Sequence, residues 1–323
     1  MLKAIGIHKT FRPSIGFLGE LKNFFGKAPE EGVKAVRGVD LSINKGEILG
    51  LVGESGSGKS TLGKIFATLH SPDKGQILFE GKDTLKFSKK EHKAFFRQVQ
   101  YMFQDPSSSL DPRLTAEKAL AEGLIIHKLG DRRARQKRVR ELMEEVGLDP
   151  SYSTRYPHQF SGGQRQRLSL ARALSLNPRV LIADEPASAL DVSVQAQIIN
   201  LLLEEKTERG LTLVIISHDL ALVSLIAARI AIMYGGLIME LIPKELLGAI
   251  NHHPYVKALW ASAEYQGESS DKLILEGEPP DPENPPPGCP FSPRCPELID
   301  KCLTDIPPLK EDSPGHQCAC HQR

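Results

Sequence analysis

The run Gly53-Glu-Ser-Gly-Ser-Gly-Lys-Ser60 puts three glycines, an amine and a hydroxyl within eight residues. The chemistry of that combination is phosphate binding. Glycines let a backbone wrap an anion so that several N–H groups face it, a lysine at this spacing reaches the outer phosphates, and the adjacent hydroxyl ligates Mg²⁺. Gly53, Ser55, Gly56, Ser57, Gly58, Lys59, Ser60 and Thr61 are therefore the expected nucleotide contacts. The context fits: the apolar run Ile48 to Val52 leads in, and the helical pattern Thr61-Leu-Gly-Lys-Ile-Phe66 leads out.

Arg179-Val-Leu-Ile-Ala-Asp-Glu-Pro186 places two adjacent carboxylates at the end of a second apolar run. In a parallel sheet the carboxyl ends of the strands are where ligands gather. Asp184 can hold Mg²⁺ there, directly or through water, and Glu185 can polarise a water attacking a γ-phosphate. The plain structural alternative is a carboxylate pair that only caps the next helix, which the company of Lys59 disfavours.

Positioning these groups requires an α/β framework. Short continuous apolar runs such as Ile48 to Val52 and Val180 to Ala183 read as strands buried on both faces of a mainly parallel sheet. Residues 1–250 read as one such domain. Arg113 to Gly147, poor in Gly and Pro and rich in Ala, Leu, Arg and Glu, predicts a helical subdomain spanning about 110–175. From Ser262 the composition shifts, and the prolines of Glu278 to Gly288 make 251–288 a linker region. The Cys-containing tail at 289–323 is too small to fold on a hydrophobic core alone.

Charge excludes little and predicts no partner: 41 Lys and Arg against 40 Asp and Glu leave +1, so no strong field favours nucleic acid. The basic run Asp131 to Arg140 reads as a solvated helix face compensated by Glu141, Glu144 and Glu145. Phe17, Leu18, Leu21, Phe24 and Phe25 fall on one helical face, for packing on the domain or contact with a partner or membrane surface. The first ten residues lack a secretory pattern, and no run of about 18 apolar residues could span a bilayer. Any membrane role is expected to be peripheral.

Phe160-Ser-Gly-Gly-Gln-Arg-Gln-Arg167 resembles the signature of the ABC ATPase family. The resemblance extends over residues 1 to about 250, with each family element in order. Gln104, in Tyr-Met-Phe-Gln-Asp-Pro, matches the family's Q-loop, Ser188-Ala-Leu-Asp191 its D-loop and His218 its switch histidine. It implies ATP as the nucleotide and a head-to-tail cassette dimer in which Ser161, Gly162, Gly163 and Gln164 of one subunit cover ATP held by the other. By the same resemblance Asp191 lies at the composite site, His218 contacts the γ-phosphate, Gln104 senses Mg²⁺, and Phe11 stacks on adenine, with Phe17 as competitor.

Three features are similar to the ATPases of bacterial oligopeptide, dipeptide and nickel importers: Gln104 to Arg113, His253-Pro-Tyr-Val-Lys-Ala-Leu259 and the tail. The long stretch from Phe11 to Ala35 resembles the second ATPase of such systems. That implies a heterodimer with a second cassette, two transmembrane permease subunits, an extracellular or periplasmic solute-binding protein and a place on the cytoplasmic face of the membrane. The five cysteines, at 289, 295, 302, 318 and 320, are an odd count better suited to metal than to disulfides. Four thiolates suit tetrahedral Zn²⁺ or an iron–sulfur cluster. The family's tail implies a [4Fe–4S] cluster on Cys289, Cys295, Cys302 and Cys320, with Zn²⁺ as alternative and Cys318 left over. A ribosome- or DNA-acting ABC ATPase is disfavoured by the single signature and the absence of sustained heptads, and an inactive cassette by the presence of Lys59, Asp184, Glu185 and His218.

Overall fold

The computed structural model describes residues 1–12, 32–187, 191–248, 250–264 and 277–323. The apolar helical face from Phe17 to Phe25 lies outside the described residues, as do Ser188, Ala189 and Leu190.

Strands β1 (Leu2–Phe11), β2 (Val33–Ile43), β3 (Ile48–Val52), β4 (Lys74–Phe79), β5 (Lys82–Asp83), β6 (Val99–Met102), β7 (Val180–Asp184), β8 (Thr212–Ser217), β9 (Arg229–Tyr234), β10 (Leu237–Pro243), β11 (Lys310–Ser313) and β12 (His316–Cys318) form two sheets. The smaller sheet is antiparallel, in order β2-β1-β4-β5. The larger runs β11-β12-β10-β9-β3-β8-β7-β6. Its five strands from β9 to β6 are parallel, and β10, β12 and β11 join antiparallel.

Every residue of β3, β7 and β8 is buried, because the pleat sends alternate side chains into two separate cores. Ile48, Val52, Leu181, Ala183, Leu213 and Ile215 face one core, shared with the helices. Leu49, Leu51, Val180, Ile182, Val214 and Ile216 face the other, closed by the antiparallel sheet. This double burial explains why the strands read as unbroken apolar runs. Parallel pairing of β3 with β8 and of β8 with β7 aligns their carboxyl ends at one edge.

The helices are α1 (Lys59–Phe66), α2 (Lys89–Gln98), α3 (Ala116–Ile126), α4 (Arg132–Glu145), α5 (Gly162–Leu174), α6 (Val192–Arg209), α7 (Leu220–Ile226), α8 (Pro254–Glu264) and α9 (Lys301–Thr304). Between β6 and β7 lie α3, α4 and α5. In α4 only Val139, Leu142 and Met143 are buried, an i, i+3, i+4 stripe. Its basic face is solvated, with Lys137 paired to Glu141 at 3.6 Å and Arg138 to Glu145 at 2.7 Å.

The C-terminal residues draw on the main core. Strand β12 pairs with β10 through Glu240 opposite Cys318. Phe291 is fully buried, with its ring 5.5 Å from Tyr234 and 5.4 Å from Tyr255. Among the described residues no helix is long and apolar enough to cross a membrane.

Candidate active site

The phosphate loop leaves β3 and enters α1. Gly53 has φ 155° and Gly58 φ 102°, and a Cβ at either would stand 2.1 Å from a backbone oxygen, Met233 O and Ala35 O respectively. Both positions thus demand glycine for conformation and for space. Lys59 is buried, and its Nζ donates to the carbonyls of Gly53 at 2.7 Å and Glu54 at 2.8 Å. Burial pulls its pKa down, against the pull of the Glu185, Asp184 and Glu54 charges. The amine therefore sits in the loop's own cradle, directed by carbonyls and facing two carboxylates.

Ser60, one residue on, donates through Oγ to Asp184 Oδ1 at 2.9 Å. The other carboxylate oxygen accepts from Tyr101 Oη at 2.6 Å. Burial and the Asp184 charge push the Tyr101 phenol far above its ordinary pKa, so it stays a donor. The sequence motifs do not single out Tyr101. Its one legible sign is position, on β6 three residues before Gln104.

Glu185 is the centre of a second group. Gln104 Nε2 donates to Glu185 Oε2 at 3.0 Å, and His218 Nδ1 meets Oε1 at 3.2 Å. A carboxylate only accepts, so Nδ1 carries a hydrogen in this contact. Three residues widely separated in sequence are thus brought together at one sheet edge. Glu185 has φ 44°, a left-handed conformation that costs a non-glycine residue roughly 1 kcal/mol or more. Its N–H donates to Ile216 O at 2.9 Å, and Gln166 Nε2 of α5 donates to Pro186 O at 2.6 Å. The strained turn is held by its neighbours, which is how such strain persists at sites of chemistry.

Ser161 caps α5, accepting from Gln164 N–H while the Gln164 side chain accepts from Ser161 N–H at 3.0 Å. A Cβ on Gly163 would meet Val194 at 3.0 Å, which explains that glycine from within the chain. Among the described residues a Cβ on Gly162 would meet nothing within 4 Å, and Ser161 and Gly162 are exposed. The intramolecular packing gives no reason for glycine at 162; an external group approaching a helix N-terminus would. Asp191 caps α6, accepting from Val194 N–H at 3.0 Å. Phe11 is exposed at the end of β1, its ring edge-on to His70 at 5.5 Å. Its competitor Phe17 lies outside the described residues.

In the tail all five cysteines are free thiols. Burial pushes the Cys289 thiol up to about 11, with the neighbouring charges of Cys302, Cys295 and Cys320 adding to it. Burial also raises Cys295, and Cys302 and Cys320 add to that shift. Cys302 and Cys320 thus act on both of these thiols. Among the described residues no group of three or more His, Cys, Asp and Glu side chains is arranged to hold a metal ion. Cys318 stands opposite Glu240 of β10, and burial together with the charges of Glu240 and Cys320 raises its thiol.

A glycine-rich loop between the buried strand β3 and a helix, an Asp and a Glu at the end of β7, and a glutamine and histidine on that Glu define a nucleotide-hydrolysing cassette. Comparison with known proteins is specific. Residues 36–188 match the ABC transporter family, and 239–302 match the oligopeptide/dipeptide transporter C-terminal region. The putative oligopeptide transport ATP-binding protein YkfD of Bacillus subtilis is 47% identical over 94% of both chains. The oligopeptide transport ATP-binding protein AppF of the same organism is 48% identical over 90% of this chain and 89% of that one. Among solved structures, the dimeric post-hydrolysis state of the ATP-binding cassette MJ0796 with ADP and Pi superposes with a TM-score of 0.66 at 30% identity. It covers 76% of this chain and 99% of that one. The chain belongs to the ATP-binding proteins of the ABC transporter family, and its fold is the ABC ATPase cassette.

Proposed function

We propose that this chain binds and hydrolyses ATP to power import of oligopeptides or dipeptides through a membrane ABC transporter. The observation that carries the reading is the convergence of Lys59, Ser60 and Asp184 with the Gln104–Glu185–His218 group at one end of the parallel sheet. Lys59 and the loop N–H groups bind the triphosphate. Glu185 takes the proton of the attacking water, Gln104 and His218 hold that carboxylate, and His218 contacts the γ-phosphate. Ser60 and Asp184, whose oxygens already meet at 2.9 Å, with Gln104 would hold Mg²⁺, which supplies counter-charge to the phosphates.

Phe11 is assigned to adenine. The open space over Gly162 and the dimeric state of MJ0796 support pairing with a second cassette, whose phosphate loop would receive Ser161 to Gln164, with Asp191 beside it. By analogy with the oligopeptide relatives that second cassette is a different chain, and two permease subunits and a solute-binding protein complete a complex in which this chain is peripheral on the cytoplasmic face. The decisive experiment is uptake into reconstituted vesicles carrying the assembled complex with this chain facing the lumen and ATP loaded inside. Labelled di- or oligopeptide is expected to accumulate only with ATP and only with this chain present. Uptake of nickel but not peptide, or ATPase activity indifferent to the permeases, would overturn the peptide-import reading.

Cys289, Cys295, Cys302 and Cys320 are assigned to a [4Fe–4S] cluster. The match of residues 239–302 to the oligopeptide/dipeptide transporter C-terminal region and the free thiols of the tail support this assignment, while the described side chains are not drawn together into a metal-holding group. Anaerobically purified protein is expected to be brown, with about four iron and four sulfide per chain, and Cys302→Ser to lose the visible absorbance. Colourless protein carrying zinc would sink the assignment.

A further inference from the structure

Glu54 occupies a position that the phosphate-loop pattern leaves free, yet it is the most heavily engaged residue of the loop. Its N–H donates to Tyr255 Oη at 3.0 Å. Its carbonyl accepts from Lys59 Nζ at 2.8 Å and from Ser57 N–H at 3.2 Å. Its carboxylate accepts from Arg294 Nη1, at 3.1 Å and 2.9 Å to the two oxygens. One residue thus joins the amine that grips phosphate to a guanidinium 240 positions away in the tail.

Arg294 is built into this place. Its side chain is only 6% exposed. The same Nη1 donates to Tyr234 Oη at 3.0 Å, and the Tyr234 and Tyr255 rings pack at 4.5 Å with Phe291 against both. A second strand of contact runs alongside, where Lys34 N–H donates to Pro282 O at 2.8 Å. A cleft of about 210 Å³ between Ser55, Gly56, Ser57 and Pro279, Pro280, Pro282 marks where the proline-rich segment ahead of the tail borders the loop.

We propose that Arg294 is a positioning residue for ATP binding, holding the phosphate loop and Lys59 in binding geometry through Glu54. Two physical effects act together. A loop fixed beforehand by a charge-assisted contact has less freedom to lose when the triphosphate arrives. Neutralising Glu54 also removes an unpaired carboxylate from beside an incoming polyanion. The tail thereby reaches the nucleotide site without touching the reacting atoms. The inference rests on the ATP-binding reading above and names a determinant of that same site.

The test compares Arg294→Ala, Arg294→Lys and Lys257→Ala in the full chain. Lys257 pairs with Glu297 at 2.9 Å and so ties α8 to the tail away from the loop. Affinity is read by fluorescent ATP-analogue titration of the purified chain, and KM and kcat in the assembled transporter. Arg294→Ala is expected to raise Kd and KM about tenfold with kcat within about twofold, a loss of ground-state binding. Arg294→Lys, which keeps the charge, is expected to recover most of that, and Lys257→Ala to match wild type. Equal KM in wild type and Arg294→Ala, or the same KM rise in Lys257→Ala, would overturn the positioning role. A wild-type chain that binds no ATP would instead overturn the ATPase reading itself. Should Arg294→Ala fail to fold, Arg294→Gln, which removes the charge at similar length, takes its place, and a Kd for Arg294→Gln no different from wild type would overturn the proposal.

Discussion

Replacing Glu185 by Gln is expected to lower ATP turnover about 10³-fold, roughly 4 kcal/mol in barrier, while ATP binding is kept. The substitution preserves shape and removes the base. Gln104 Nε2 can still donate to the amide oxygen, so the strained turn at φ 44° keeps its tie. Lys59, Ser60 and Asp184 do not depend on the 185 side chain for their contacts. What is lost is the ability to take a proton from water, a step for which Asp184, occupied by Ser60 and Tyr101, is not as well placed. ATP should therefore stay bound and the paired cassettes stay closed. Single-turnover hydrolysis and gel filtration with and without ATP check both halves. Hydrolysis within about threefold of wild type would remove Glu185 from the role of base.

The parts of this site legible in sequence are those whose spacing is local. Gly53 to Ser60 must be contiguous because one backbone wraps one phosphate group, and Asp184 and Glu185 are adjacent because both sit at one strand's end. Gln104 and His218 carry no local signature of their own, and only resemblance assigned them; their meeting at Glu185 is a product of strand order, β6-β7-β8. Tyr101, Glu54 and Arg294 were illegible for the same reason carried further. Nothing within ten residues of Arg294 encodes that it reaches Glu54. The strands were readable because parallel β3, β7 and β8 are buried on both faces, which leaves continuous apolar runs. The addition of β12 to β10 was not, since β12 is three residues with no period to read.

Glu240 shows how much holds on such unread contacts. It lies on β10 with no exposed surface. Its carboxylate accepts from His252 Nδ1 at 2.8 Å, His316 Nε2 at 2.7 Å and His253 N–H at 2.8 Å. His316, on β12 and also fully buried, bonds Asp312 through its other nitrogen. Both ring nitrogens of His316 thus face carboxylates, which requires an imidazolium. Burial alone would raise the carboxyl of Glu240, but the histidine hydrogen bonds outweigh it and hold it below the ordinary value. Burial would likewise lower His316, and the two carboxylates outweigh it and raise it. His253, buried and accepting from Tyr255 N–H, is pushed down to about 4 and stays neutral.

Glu240→Ala leaves three donors, one of them the His316 cation, without their acceptor in the interior. The expected cost is about 3–5 kcal/mol, concentrated where β12 docks on β10. The tail should become protease-sensitive while the β3, β7, β8 core keeps its protection in hydrogen exchange. The pH dependence follows from the two shifts. A depressed Glu240 contributes in full above 4.5 and loses its contribution as pH falls through its folded value, whereas a raised His316 contributes in full below 6.5 and loses its contribution as pH climbs through its own. Tail protection in the wild type should therefore be greatest between about pH 4.5 and 6.5 and decline above it. Glu240→Ala should show weak protection across that range, and a wild-type profile flat from pH 5 to 9 would mean that His316 does not carry the docking charge.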